Sequence, residues 1–202
     1  YSGSHPGDAM ELAGMAAAIE RVAQAIDRQE SIAVYGDFDV DGVTATVLMT
    51  SALRALGARV QAFIPDRFED GYGLNIDAID RLGDGGVTLC ITVDCGVRST
   101  DEVAHARARG MDMIITDHHS VPDVLPDAIA VIDPKREDST YAFRELAGVG
   151  VAYQVARALT NALSDKGSQQ NDALLDEYLD LVGLGTIADV VPLEGENRTL
   201  AR

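Results

Sequence analysis

Short runs of apolar, often β-branched residues alternate along the chain with stretches whose apolar positions recur at helical spacing. Leu12, Met15, Ile19, Val22 and Ile26 fall on one helical face and predict an opening helix over residues 11–25. Strand candidates follow at 31–35, 59–64, 88–93, 113–116 and 128–132. Helical patterns at 43–56, 76–82 and 100–109 separate them, with Gly57 and Gly110 placed where helices stop. Strands alternating with helices require right-handed crossovers and a sheet covered on both faces. The expected fold is therefore α/β and three-layered: a mostly parallel sheet of about five strands between two helical layers.

Beyond residue 135 the alternation ceases. Residues 147–164 and 172–183 carry helical patterns, separated by a polar stretch at 164–171, and Gly185 to Pro192 follows the second helix. The chain thus divides into a tail and helix (1–30), a sheet core (31–135) and a helical part (136–202) that packs back on the sheet.

Composition narrows the class. With 202 residues the chain fits one large domain or two small ones, and 47% apolar content excludes wholesale disorder. Two cysteines, Cys90 and Cys95, lie in or beside an apolar run and are expected to be reduced thiols. No apolar run approaches a bilayer span, and no basic-then-apolar leader opens the sequence. A cytoplasmic setting without membrane contact is expected. Sixteen basic residues against thirty-three acidic ones give a net charge of −17, which repels nucleic acid and anionic membranes alike. Either the carboxylates gather around divalent cations, or a partner or further domain carries a basic groove.

The acids are not scattered. In open parallel sheets, ligands bind beyond the carboxyl ends of the strands. Gly36-Asp37-Phe38-Asp39-Val40-Asp41-Gly42 follows the first strand, and Asp94-Cys95-Gly96 the third. Asp117-His118-His119 follows the fourth, and Asp133-Pro134-Lys135 the fifth. Carboxylates converging on one sheet edge disfavour mutual ionisation. Divalent metals relieve that cost, and mixed Asp/His ligands suit manganese, magnesium or ferrous iron. Each motif also has a plain structural reading: Asp41 as a helix N-cap, Asp94 as a turn residue, the histidine pair as a loop. Their coincidence at three strand ends favours a metal site, and spacing alone does not name a substrate.

These residues resemble a known family. Gly36 to Gly42, Val93-Asp94-Cys95-Gly96, Asp117-His118-His119 and Ala188-Asp189-Val190-Val191-Pro192-Leu193 resemble the four successive motifs of the DHH phosphoesterase superfamily. The setting is similar to its RecJ-like branch of single-strand-specific 5′→3′ DNA exonucleases. Gly71 to Asn75, Leu146 to Ala152 and Gly183 to Asp189 support the resemblance, which runs from about residue 25 to the end. Phe38 stands where tyrosine is more usual, and Asp37 where many other phosphoesterases carry histidine. The resemblance implies that RecJ-like proteins continue into a second, substrate-binding domain, and these residues are expected to correspond to the catalytic lobe alone.

The resemblance implies two manganese ions, with magnesium as the alternative metal. Asp39 and Asp94 would hold one, with Asp37 beside it or reaching it through water. Asp41, Asp94, His118 and Asp189 would hold the other, which requires the C-terminal helical segment to fold back over the site. Asp94, His118 and His119 form the implied catalytic group, His119 facing the scissile phosphate or supporting the ligands. The implied reaction is two-metal hydrolysis of single-stranded DNA to 5′-mononucleotides. Alternatives are a phosphoesterase acting on short oligonucleotides or cyclic dinucleotides, and a non-catalytic replication scaffold.

Phosphate contacts are expected from Arg67, Arg98, Lys135 and Arg136, and from the amides of Gly148 and Gly150 at a helix start. Against these stand local pairing of Arg67 with Glu69 or Asp70, a solvated turn at Lys135-Arg136, and close helix packing at the glycines. Phe38, Phe68 and Tyr72 are candidates for base stacking. The acidity predicts weak single-stranded DNA binding by this portion alone. Single-strand-binding proteins and helicases are the protein partners the resemblance suggests.

Overall fold

The computed structural model describes residues 7–66, 73–164 and 175–202. Asp8 caps a 3-10 turn at Ala9–Glu11, and Gly14, with φ of 88°, turns the chain into α1 (Met15–Asp27). This turn takes the place of the first residues of the expected helix. Met15, Ala18, Val22 and Ala25 form the buried face of α1.

Five parallel strands follow: β1 (Ser31–Tyr35), β2 (Arg59–Phe63), β3 (Leu89–Val93), β4 (Asp112–Thr116) and β5 (Ala130–Ile132). Their order is β2-β1-β3-β4-β5. The crossovers carry α2 (Val40–Ala55), α3 (Ile76–Asp84) and α4 (Thr100–Ala108). The alternating pleat divides the core. Ile32, Val34, Leu89, Ile91, Val93, Ile114 and Ile132 pack on one face with α1 and α2. Ala33, Tyr35, Cys90, Met113, Ile115 and Val131 pack on the other with α3 and α4. Both cysteines are buried free thiols.

Helix α2 starts at Val40, three residues before its periodic pattern, because Asp39 caps it: Asp39 Oδ1 accepts the Gly42 amide at 2.8 Å. Asp41 therefore lies inside the first turn, and the N-cap is Asp39.

The C-terminal part comprises α5 (Gly148–Leu163), α6 (Leu179–Ala188) and α7 (Gly195–Leu200). Helix α6 differs from the pattern-based expectation. It continues past the expected end at Gly183, through Gly185 to Ala188, with Asp189 as its C-cap. Glycine is a poor helix former in isolation, but here tertiary contact decides. A Cβ on Gly185 would collide with Thr44 Oγ1 and lie 2.9 Å from Asp41 Oδ1. Only glycine lets α6 press this closely on α2. Among the described residues, no helix is long and apolar enough to cross a membrane.

Candidate metal centre

The chain leaves β1 for β2 on one side, while β3 pairs with β1 on the other. The carboxyl ends of β1 and β3 therefore flank the crevice where an open sheet binds ligands. Asp37 and Asp39 leave β1 there, and Asp94 leaves β3. Asp94 adopts φ of 62°, a left-handed conformation that aspartate tolerates better than most residues.

The fourth strand delivers His118 to the same point. Its Nε2 lies 3.1 Å from Asp94 Oδ1, 3.7 Å from Asp189 Oδ2 and 4.0 Å from Asp41 Oδ2. Helix α6, seated on α2, brings in Asp189 from the far end of the sequence. Asp41 is anchored separately: its Oδ2 accepts the Gly148 amide at 2.6 Å and its Oδ1 the Val149 amide at 2.8 Å. These two bonds satisfy open donors at the start of α5 and fix the carboxylate in place.

Three groups of potential ligand atoms result: Asp37, Asp39 and Asp94; Asp41, His118 and Asp189; and Asp94, His118 and His119. Within each, the atoms lie within 4.8 Å of one another. Asp39 is exposed, whereas Asp37, Asp41, Asp94 and His118 are buried.

The electrostatics follow from this crowding. Burial, then the Asp94 charge, pushes the Asp41 carboxyl up to about 7. Burial, then the charges of Asp39 and Asp117, pushes Asp94 up to about 9. Asp37 and Asp189 are also raised, chiefly by burial. Asp117 moves the other way. Burial would raise it, but hydrogen bonding to the His119 ring and to the Val97 and His119 amides outweighs that and leaves it lowered. Its Oδ1 takes His119 Nδ1 at 2.7 Å and its Oδ2 the Val97 amide at 2.9 Å. The same contact pushes His119 up to about 9.

Clustered carboxylates held partly protonated for want of counter-charge fit divalent cations. So do the atoms left over: Asp94 Oδ1 and His118 Nε2 are buried, face each other, and make no hydrogen bond. Hard oxygen donors with one or two imidazoles suit manganese or magnesium better than a thiolate-seeking metal.

The anticipated substrate contacts are placed less uniformly. The Gly148 amide is committed to Asp41, and a Cβ on Gly148 would stand 2.6 Å from the Asp94 Cβ. This glycine thus serves close packing instead of presenting its amide to a phosphate. Gly150 packs on Leu146 within the first turn of α5. The Arg136 guanidinium is engaged by Asp138 and by the Val131 carbonyl. Arg98 donates to the Ser120 carbonyl and lines a cleft of about 490 Å³ with Asp117 and His119. Lys135 lines the neighbouring cleft with Arg136 and Asp123. Arg67, Phe68 and Tyr72 lie outside the described residues.

Two acids at strand ends carry no assigned role in the sequence reading: Asp117, which holds His119, and Asp133, which follows β5 and is fully buried. Their position directly after an apolar strand was the available signal. Gly185 was the third omission, and only the packing of two helices exposes it.

An Asp-His-His turn at the end of a parallel strand, facing carboxylates from neighbouring strands and a returning helix, defines a DHH-type domain. The chain belongs to this family: the N-terminal domain of the DHH family matches residues 31–186. It is 47% identical to the single-stranded-DNA-specific exonuclease RecJ of Bacillus subtilis (strain 168), over 96% of this chain and 23% of that protein. A crystal structure of exonuclease RecJ bound to manganese superposes with TM-score 0.82 and 36% identity, covering 94% of this chain and 46% of that one. RecJ from Thermus thermophilus in complex with Mn²⁺ gives TM-score 0.77 and 32% identity, over 94% of this chain and 26% of that one. The chain thus spans about a quarter of the length of the Bacillus relative.

Proposed function

We propose that this domain is the catalytic lobe of a manganese-dependent exonuclease that degrades single-stranded DNA from the 5′ end to 5′-mononucleotides. The observation that carries the reading is the meeting of Asp94, His118, Asp41 and Asp189 from four separate elements around buried, unpartnered donor atoms. The names of the RecJ relatives supply the substrate class.

One cation would be held by Asp37, Asp39 and Asp94, the other by Asp41, Asp94, His118 and Asp189. Magnesium is the alternative occupant. When bound, such a pair supplies activation of the attacking water and neutralises charge on the phosphate and the leaving oxygen. The protein's own groups do the rest. Asp117 accepts from His119 Nδ1 and keeps that ring protonated, so its positive charge would stabilise the negative charge that develops on a phosphoryl oxygen. Asp41, tied to two amides, fixes the spacing between α2 and α5 on which the ligand geometry depends. Arg98 and Lys135 border the site and are the cations placed to meet the DNA backbone.

The same reading treats residues 31–202 as one catalytic unit and leaves most DNA binding to a second, substrate-binding domain, in a cytoplasmic enzyme that works beside single-strand-binding proteins or helicases. An intact ligand set argues against a purely scaffolding role. Anomalous diffraction from manganese-soaked crystals tests the centre, with two peaks on the named carboxylates expected. Product analysis on 5′-phosphorylated single strands against dinucleotides tests the substrate; preference for dinucleotides would overturn the exonuclease assignment.

A further inference from the structure

His118 poses a problem that its contacts in the acid cluster do not solve. Its Nε2 faces Asp94, Asp189 and Asp41, so Nδ1 lies on the opposite side of the ring, away from the cluster. That atom is buried and without a hydrogen-bond partner. A neutral imidazole that offers a lone pair from Nε2 carries its proton on Nδ1. A buried N–H without an acceptor is destabilising.

The protein places one nearby. β4 and β5 pair in register through Thr116 and Ile132, and the Asp117 amide continues the ladder to the Ile132 carbonyl. His118 and Asp133 therefore emerge from adjacent strand ends. Asp133 is fully buried. Its Oδ1 accepts the Lys135 amide at 2.7 Å, but its Oδ2 is buried with no partner. The His118 ring lies close enough to act on it electrostatically. Asp117 is not a competing acceptor, because its two oxygens already serve His119, Val97 and the His118 amide.

We propose that Asp133 is a positioning residue: its Oδ2, which makes no direct bond to the ring, takes the Nδ1 proton of His118 through one bridging water and so fixes the tautomer that points the Nε2 lone pair into the acid cluster. This rests on the reading of the cluster as a metal centre. A carboxylate behind a metal-binding histidine raises the basicity of the ligand and holds its ring plane. A buried carboxylate with one open oxygen is otherwise a cost without return.

The experiment uses the metal-free domain first. Nitrogen-15 NMR of the imidazoles should show His118 protonated on Nδ1, and an Nε2–H tautomer in the wild-type protein would overturn the proposal whatever any variant does. Manganese titration then compares wild type with Asp133→Ala and Asp133→Asn. The alanine variant should lose the fixed tautomer and bind manganese about 10–100-fold more weakly. The asparagine variant, which keeps an oxygen acceptor, should recover most of both. A lowered melting temperature with tautomer and affinity unchanged would reduce Asp133 to a structural part and refute the role. If wild type binds no manganese at all, the metal-centre reading fails, while the tautomer still reports on Asp133 and His118 separately.

Discussion

Gly148 stands so close to Asp94 that a Cβ built on it would lie 2.6 Å from the Asp94 Cβ and collide with the carboxylate. The start of α5 is therefore part of the wall of the site. Gly148→Ala must displace Asp94 or shift the helix, at a cost of about 1–3 kcal/mol. We expect a folded protein whose manganese affinity falls at least tenfold, measured by calorimetric titration beside a thermal melt. Unchanged affinity would show that the two elements are not in rigid contact.

The raised carboxyls predict an unusual pH dependence. Asp41 titrates near 7 and Asp94 near 9 in the folded metal-free protein, both above the ordinary carboxyl value. Between that ordinary value and the raised ones the folded state binds more protons than the unfolded one, so stability falls as pH rises. The metal-free domain should thus lose melting temperature steadily from about pH 4 through pH 9. Saturating manganese should flatten or reverse that slope, because the cation replaces the protons. Melting curves across pH, with chelator and with manganese, check both arms.

Asp94→Asn replaces a carboxyl that the folded metal-free protein must hold largely protonated at pH 8 with a permanently neutral amide. In the absence of metal at pH 8 it should raise the melting temperature, since the repulsion and desolvation that lift the Asp94 carboxyl disappear. The same variant should lose the stabilisation that manganese gives wild type, which amounts to about 2.7 kcal/mol at a hundredfold excess over Kd. Parallel melts with and without metal decide it.

His119 is held protonated by Asp117 and titrates near 9. His119→Ala should lower turnover about 100- to 1000-fold while leaving manganese occupancy nearly intact, since its proposed work is stabilising negative charge at the phosphate. In Asp117→Asn the ring loses its ionic partner, and the alkaline limit of activity should move down towards the ordinary histidine value. pH–rate profiles with metal analysis separate these effects.

With a net charge of −17, the isolated domain should bind labelled single-stranded DNA only weakly at physiological salt, with or without manganese. Tight binding in a fluorescence titration would place the main DNA-binding surface on this domain.

Much of this was legible before any coordinates. The alternation of strand and helix patterns leads directly to the parallel sheet, because burial on both faces demands continuous apolar strands. Asp37, Asp39, Asp94 and the Asp-His-His turn are visible as polar residues breaking those runs at their carboxyl ends. Asp189 was reachable only through family resemblance, since nothing in its local sequence says that α6 returns to the sheet. The helix holding it was placed too early, because glycines at 183 and 185 count against a helix until their packing is seen.

The sequence by itself determined the order of elements, the sheet edge at which the acids gather, and the excess of negative charge that calls for cations. Only the tertiary structure decided which acid caps which helix, that the Gly148 amide goes to Asp41, and that Asp133 is fully buried with one carboxylate oxygen unpartnered. The physical reason is that periodicity encodes which face a residue takes, a local property of backbone geometry. Pairings between side chains from distant segments depend on how closely those segments approach, and that is set by packing across the whole core.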